Sequence, residues 1–417
     1  MQPAKPNRRA QVINRNRMNR LTTSLIRQAT RTQALLTVAL GLCGPFDAAT
    51  SASAQTWTQT SAPAKYWRSI ALSADGTKIV AVEQNGGIYV STDSGTTWSL
   101  SSAPNKTWYS AASSADGKIL LAAADIGGVY ISTNAGVTWK SNSLPRYEWL
   151  SVACSADGKE LVAAGTSWGP VYTSTDTGET WTSNSVPLLY WNSLASSADG
   201  TKLAVVGSGQ LCATTNSGTT WQFSTPPSGG YTAYVAYSAD GSTLALLSGS
   251  YLYASTNSGA GWLSNSVPAL PWSAVACSVD GTKLAAVANG FGTAGGGIYT
   301  SADSGIAWVS NNTSSSLGWN SIASSADGNK LAATVFNGGI WTSQSTPCPR
   351  LNIIPSNGLR LAWVIPSTEF VLQQASALAG SNWSALADPP MLNLTSLQYQ
   401  VTLSPCNSAG FYRLTTP

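Results

Sequence analysis

Hydrolysis of a glycosidic bond needs two carboxylates facing each other across a cleft, about 5–9.5 Å apart, and few acids in this 417-residue chain are free to supply them. Past residue 54 there are 17 Asp and Glu residues. Seven of the Asp stand in a recurring Ser-Ala-Asp-Gly tetrapeptide or its one variant, and Asp93, Asp176 and Asp303 stand in a second recurring turn. Glu83, Asp125, Glu148, Glu160, Glu179, Glu369 and Asp388 remain. Of these, Glu83, Asp125 and Glu148 fall in loops that also carry aromatics, so they are the catalytic candidates if the chain is an enzyme. Glu83–Asp125 and Asp125–Glu148 are the pairs on neighbouring units. There is no His in the chain, which excludes His acid/base chemistry and His metal ligands. Neither a metal nor a cofactor is expected.

The same loops are better supplied for binding. Tyr66, Tyr147, Tyr190, Trp168 and Phe336 are aromatics that do not repeat from unit to unit, with Arg68 and Arg146 beside them. Flat aromatic side chains stack on sugars or grip peptides at low entropic cost. These seven are the ligand-binding candidates. Trp67, Trp108, Trp149, Trp191, Trp272 and Trp319 recur at equivalent places. A residue repeated in every unit answers a need that every unit shares, so they read as packing.

These loops belong to seven copies of a unit of about 41 residues, running from Trp57 to Ser345. Ser-Ala-Asp-Gly marks each copy, from Ser73–Gly76 to Ser325–Gly328, with Val279 for Ala in Ser278–Gly281. Units of 40–46 residues with several short β-like runs are the signature of a radial array of four-stranded sheets. Within a unit, a run such as Ile119–Ala123 is apolar on both faces and belongs between neighbours, while the polar run after Trp139 belongs outermost. The seventh unit lacks its outer strand. Trp57–Thr60, 41 residues before Trp98, supplies it and is expected to pair with residues 339–345. The predicted fold is all-β: a seven-bladed propeller of four-stranded antiparallel blades.

The second turn reads Ser-x-Asp-x-Gly-x-Thr-Trp at Ser91–Trp98 and Ser174–Trp181, with looser copies ending at Trp139, Trp221, Trp262 and Trp308. It resembles the Asp box, or BNR repeat, of sialidases, xyloglucan-degrading enzymes, sortilin-type receptors and photosystem II assembly factors. The resemblance implies a propeller in which Asp93, Asp176 and Asp303, with Trp98, Trp139, Trp181, Trp221, Trp262 and Trp308, fold the blade and do not touch substrate. The N-terminal arginine motif of sialidases is absent, and Lys65, Arg68, Lys106 and Arg146 make only a thin basic cluster beside the acids.

Residues 1–54 hold eight Lys and Arg against Asp47 alone, then an apolar run from Ala34 to Cys43 and the small-residue site Ala52-Ser53-Ala54. This reads as a basic segment with a secretory signal peptide, and Met18 offers an alternative start. Without it, 14 basic residues face 17 acidic ones, so the formal charge of +4 disappears and no basic patch remains for nucleic acid. From residue 346 to 417 the period is lost, and short alternating runs separated by Pro, Gly, Ser and Asn read as a small β-sandwich. Its Phe370–Gln373, Asn382-Trp383 and Phe411–Leu414 runs resemble the terminal module of large exported proteins of Verrucomicrobia-like bacteria, which implies docking or anchoring. Cys348 and Cys406 flank it and are expected to form a disulfide in an oxidising exterior. Cys154, Cys212 and Cys277 read as buried small hydrophobes.

The expectation is therefore a secreted, periplasmic or cell-surface binding or scaffold propeller. It is monomeric or weakly associated, not an integral membrane protein once cleaved, and recognises a glycan or a protein. The alternatives are a polysaccharide-active glycoside hydrolase and a protein like a photosystem II assembly factor.

Overall fold

The computed structural model describes residues 55–344 except 126, 143, 146, 167, 228–231, 265–266, 291–295, 312 and 314–315, and strands within 352–415. Strand β1 (Trp57–Gln59) precedes blade 1, which consists of β2 (Lys65–Leu72), β3 (Ile79–Glu83), β4 (Ile88–Ser91) and β5 (Ser99–Leu100). The β2-β3-β4-β5 meander repeats in the next five units as separate four-stranded antiparallel sheets. The seventh blade takes Trp319–Ser324, Lys330–Gly338 and Ile340–Gln344 from the end of the repeats and β1 from their start, and it joins blade 1 in one eight-stranded sheet through the pairs Lys65–Gly338 and Tyr66–Phe336. Trp57 lies opposite Ser343, Thr58 opposite Thr342 and Gln59 opposite Trp341. Seven blades result.

Burial follows the pattern of side chains. The second strands of blades 1–6, from Ile79–Glu83 to Leu284–Ala288, are buried at every position because a neighbouring blade covers each face. Outer strands such as Ser99–Leu100, Lys140–Ser141 and Thr182–Ser183 are exposed. Each blade interface is its own apolar cluster, with a turn Trp such as Trp139 or Trp181 packed at its margin.

The two repeated turns hold one end of the ring. In Ser-Ala-Asp-Gly the Ser hydroxyl donates to the Asp, as from Ser114 to Asp116 at 2.8 Å, and Gly117 takes φ +66°. The second residue then stitches blade to blade. The N–H of Ala74 donates to the carbonyl of Ala115, and so on through Ala156, Ala198, Ala239, Val279 and Ala326, whose N–H returns to Ala74. Seven hydrogen bonds therefore close a circle about the axis. The methyls of Ala74, Ala156 and Ala326 meet there with Ala115, Ala198 and Val279.

The Asp carboxylates are bound tightly enough to make the fold acid-sensitive. Asp176 accepts from Thr180 Oγ1 at 2.6 Å, Thr180 N at 2.9 Å and Ser174 Oγ at 2.8 Å, which holds its carboxyl at about 2. The Thr97 N–H and hydroxyl likewise lower Asp93. Burial works against Asp75, but Ser73 and Thr77 still hold it low, whereas burial wins at Asp327 and raises it. A depressed folded-state value stabilises above the unfolded value of about 3.9 and is lost as pH falls through the folded one. The thermal midpoint should hold from pH 7 to 5 and fall between about pH 4 and 2, more shallowly after Asp176→Asn. A flat midpoint across that window would contradict this account.

Cys154, Cys212 and Cys277 are free thiols, and burial pushes the first two up to about 12 and the third higher still. Cys348 and Cys406 lie outside the described residues. C-terminal to the ring, Asn352–Pro355, Leu359–Val364, Gln398–Leu403 and Met391–Asn393 form a four-stranded sheet. Ser384–Ala385, Val371–Ala375 and Phe411–Thr415 form a three-stranded one.

Candidate functional site

The end of the ring opposite the Ala circle carries the hairpins between second and third strands and the loops that lead into the inner strands. Hairpin and following loop interlock across blades: Gly86 bridges to Lys106, Gly169 to Leu189 and Asn289 to Gly318. Beneath them lie the strand-initial Trp residues. Trp67, Trp108, Trp149, Trp191 and Trp319 are fully buried and Trp272 nearly so. Most stand edge-on to an aromatic of the third strand, as Trp67 does to Tyr89 at 5.2 Å and 82°. They support the face and offer no surface to a ligand.

The non-repeating aromatics lie above them, in two places. Tyr147, Trp168 and Tyr190 are exposed on blades 3 and 4, with Trp168 at 59%. The Trp168 and Tyr190 rings are 5.6 Å apart at 58°, and Tyr147 stands against Trp149 at 5.9 Å. Across the seam between blades 7 and 1, exposed Tyr66 packs on half-buried Phe336 at 5.3 Å. Two glycines let the first group form. A side-chain carbon on Gly207 would lie 2.0 Å from the Tyr190 carbonyl, and one on Gly169 would lie 2.5 Å from the Gly165 backbone. Trp168 itself has φ +65°. A bulky side chain in the left-handed region costs of order 1–3 kcal/mol and persists only where the surroundings impose it. Here that strain holds an indole in solvent.

The charged candidates are distributed differently. Glu83 is 8% exposed and paired with Lys65 at 3.3 Å, which raises the Lys65 ammonium. Its carboxylate also lies directly over Gly86, so it is committed to the blade. The charges of Asp125 and Glu148 are both felt at Tyr109. Burial, then the Asp125 charge, raises the Tyr109 hydroxyl, Glu148 adds to this, and Arg68 opposes it. Arg68 lies over the Tyr109 ring, 5.3 Å from its centre. One oxygen of Asp125, Oδ1, is closed off from solvent and has no hydrogen-bond partner among the described residues. Arg146 lies outside the described residues. Among these, no group of three or more acids and cysteines is placed to hold a metal.

Tyr109 is a residue that sequence reasoning passed over. The inner strands bulge just after each Trp, between Trp67 and Ser69 or Trp108 and Ser110, and the extra residue breaks the alternation of faces. Arg68, Tyr109, Leu150, Asn192, Ser273 and Asn320 occupy that place. On blades 6 and 7 they stitch the ring, Ser273 Oγ donating to the Trp319 carbonyl at 2.7 Å and Asn320 Nδ2 to the Trp67 carbonyl at 2.7 Å. On blades 1 and 2 they carry Arg68 and Tyr109 instead. The signal was the variable residue inside a repeated Trp-x-Ser frame. Tyr251, 54% exposed at the blade 5 hairpin, was also missed.

No family model matches the chain, and no curated protein matches it either. Solved structures do. YCF48 bound to D1 peptide superposes with a TM-score of 0.55 over 72% of this chain and 99% of that one, at 13% identity. YCF48 from Cyanidioschyzon merolae gives 0.57 over 69% and 98%, at 14%. The GH74 xyloglucanase from Xanthomonas campestris gives 0.55 over 74% of this chain and 59% of that one, at 17%. The chain is a β-propeller. At these identities the propeller's likeness to the three is one of fold.

Proposed function

We propose that this propeller is an exported, non-catalytic binding protein that recognises a glycan or a protein segment on its loop face. The observation that carries the reading is the exposed Trp168–Tyr190 pair, held out by a strained backbone and two obligatory glycines. Stacking needs only such rings, whereas hydrolysis needs two opposed carboxylates, and Glu83 is already taken by Lys65. A superposable propeller that binds a peptide supports the protein arm of the proposal, and one that acts on xyloglucan supports the glycan arm. The repeated turns support placement among Asp-box propellers, with 1–54 as leader, 55–345 as the ring and 346–417 as an attachment module.

Trp168→Ala and Tyr190→Ala should each weaken binding by about 2 kcal/mol or more, as central aromatic anchors do. The assay is titration against a panel of neutral and acidic polysaccharides and against proteins captured from culture medium. Asp125→Asn and Glu148→Gln should leave affinity little changed. Reducing-end release that vanishes in either amide variant would replace the binding reading with a glycoside hydrolase.

For the attachment module we propose a Cys348–Cys406 disulfide, because a domain of about 70 residues gains most from such a staple. Intact mass after alkylation, with and without reduction, should show one protected pair mapping to these two residues. Free labelling of both in the native protein would exclude it.

A further inference from the structure

The closing strand supplies blade 7 with its outer Trp but not with the turn that precedes such a Trp elsewhere. In blades 1–6 the first hydroxyl of that turn donates to the Asp or Asn Oδ1, as Ser91 to Asp93 and Ser301 to Asp303 at 2.8 Å. In blades 1–4 and 6 the Trp indole N–H then donates to the turn glycine, as Trp98 to the Gly95 carbonyl at 3.0 Å. In blade 7 the third strand ends at Gln344, and the outer strand, preceded by Gln55, comes from the start of the repeats. Ser343 Oγ donates to Gln55 Oε1 at 3.1 Å, so an amide from the other end of the repeats stands in for the missing Asp. Trp57 Nε1 is buried with no acceptor among the described residues.

The same break leaves a cavity of about 260 Å3 between blades 7 and 1, floored by Leu72, Ile79 and Leu331 and rimmed by Thr58, Thr342 and Lys330. The crevice between blades 1 and 2 is built from the corresponding residues: Lys78 for Lys330, Ile79 for Leu331, Val90 for Thr342 and Leu120 for Ile79. It measures about 10 Å3. Lysines at the Lys330 position also have a regular task. Lys78 Nζ donates to the Asp116 carbonyl at 2.6 Å, Lys202 Nζ to the Asp240 carbonyl at 2.5 Å, and Lys283 Nζ to Asn329. Lys330 lays its stem against Gly76 in the same way and feels the charge of Asp75. Its ammonium has no hydrogen-bond partner among the described residues.

We propose that this seam is a binding site for a small amphipathic carboxylate. A single ammonium suits a monoanion, the hydroxyls of Thr58 and Thr342 suit its oxygens, and three aliphatic side chains suit a short carbon body. The cavity is roughly nine times the volume of one liquid water, which leaves room for such a body. The site lies at the end opposite the aromatic loop face, so it stands independently of the ligand bound there. A ligand that touches blades 7 and 1 together stabilises the closed ring by mass action.

The test is thermal unfolding and calorimetry of the full chain with hexanoate, hexan-1-ol and hexylammonium as probes. Hexanoate should raise the thermal midpoint in a saturable way, and the other two should not. Lys330→Met should weaken hexanoate binding roughly tenfold or more, the loss of one charge-assisted contact. Thr342→Ile, which puts an aliphatic side chain where blade 1 carries Val90, should fill the cavity, raise the midpoint without ligand and abolish the hexanoate shift. No shift in the native chain, an equal shift with hexan-1-ol, or a hexanoate shift that survives both substitutions would overturn the proposal. The seam would then be a solvent-filled gap left by the break in the chain.

Discussion

Deletion of residues 55–62 should bring the protein to the edge of unfolding. The segment carries Trp57, which packs against Trp319 at 6.4 Å and borders the blade 6–7 cluster. It carries three register pairs to Ile340–Gln344, and Thr60, whose N–H donates to the Ile340 carbonyl at 2.9 Å. It also carries Ala62, buried in the cluster between blades 7 and 1. Removal of a packed Trp side chain alone costs about 3–5 kcal/mol. Loss of the strand exposes the edge of Ile340–Gln344 as well. Since net stabilities run at about 5–15 kcal/mol, the sum reaches the whole margin of an ordinary domain. Chemical denaturation of the truncated and intact proteins is the measurement. An unchanged midpoint would mean that the ring does not depend on β1 for closure.

Trp108→Ala should be the most damaging of the single substitutions. The side chain is fully buried at the interface of blades 1 and 2, edge-on to Tyr130 at 5.2 Å and 83°. Its indole N–H donates to the Gly86 carbonyl of the preceding blade at 3.0 Å. Truncation empties a large volume and removes one of the two hydrogen bonds to that carbonyl, leaving the Lys106 N–H, for about 3–5 kcal/mol together. Trp168→Ala provides the contrast. It removes the same side chain from solvent, so stability should move by no more than about 0.5 kcal/mol while ligand affinity falls. Equal destabilisation by the two would show that Trp168 is packed and is not a contact residue.

Much of this fold was legible because a repeat states its needs seven times. Recurrence of Trp108 and its equivalents marked them as packing, and the Asp of every Ser-Ala-Asp-Gly was assigned to a turn before any distance was known. What did not repeat was harder to place. Glu83 looked as available as Asp125, since nothing in its type or spacing announces that Lys65, 18 residues earlier, comes within 3.3 Å once the inner strand bulges. A bulge of the same kind after Trp108 kept Tyr109, visible as an entry-loop aromatic, out of the candidates: strict alternation sends every second residue to one face, and an inserted residue breaks the count. The exposure of Trp168 depends on a positive φ, which the residue type argues against. The seam cavity arises from the absence of a turn, and an absence leaves no residue to read.

Closure of the ring across its own ends has a consequence for how the protein is made. Gln55 meets Ser343, and 288 positions separate them in the chain. At about 5–20 residues per second, roughly 15–60 s pass between synthesis of the first partner and arrival of the second. By the end of that interval six blades stand as an open arc, with β1 unpaired and the circle lacking both links that Ala326 makes, to Val279 and to Ala74. A chain cut anywhere before residue 340 lacks the same contact as one that has lost its first strand. Damage at either terminus of the repeats should therefore produce one shared failure, a half-built arc exposed to aggregation and proteolysis, and cellular quality control would meet the same species in both cases.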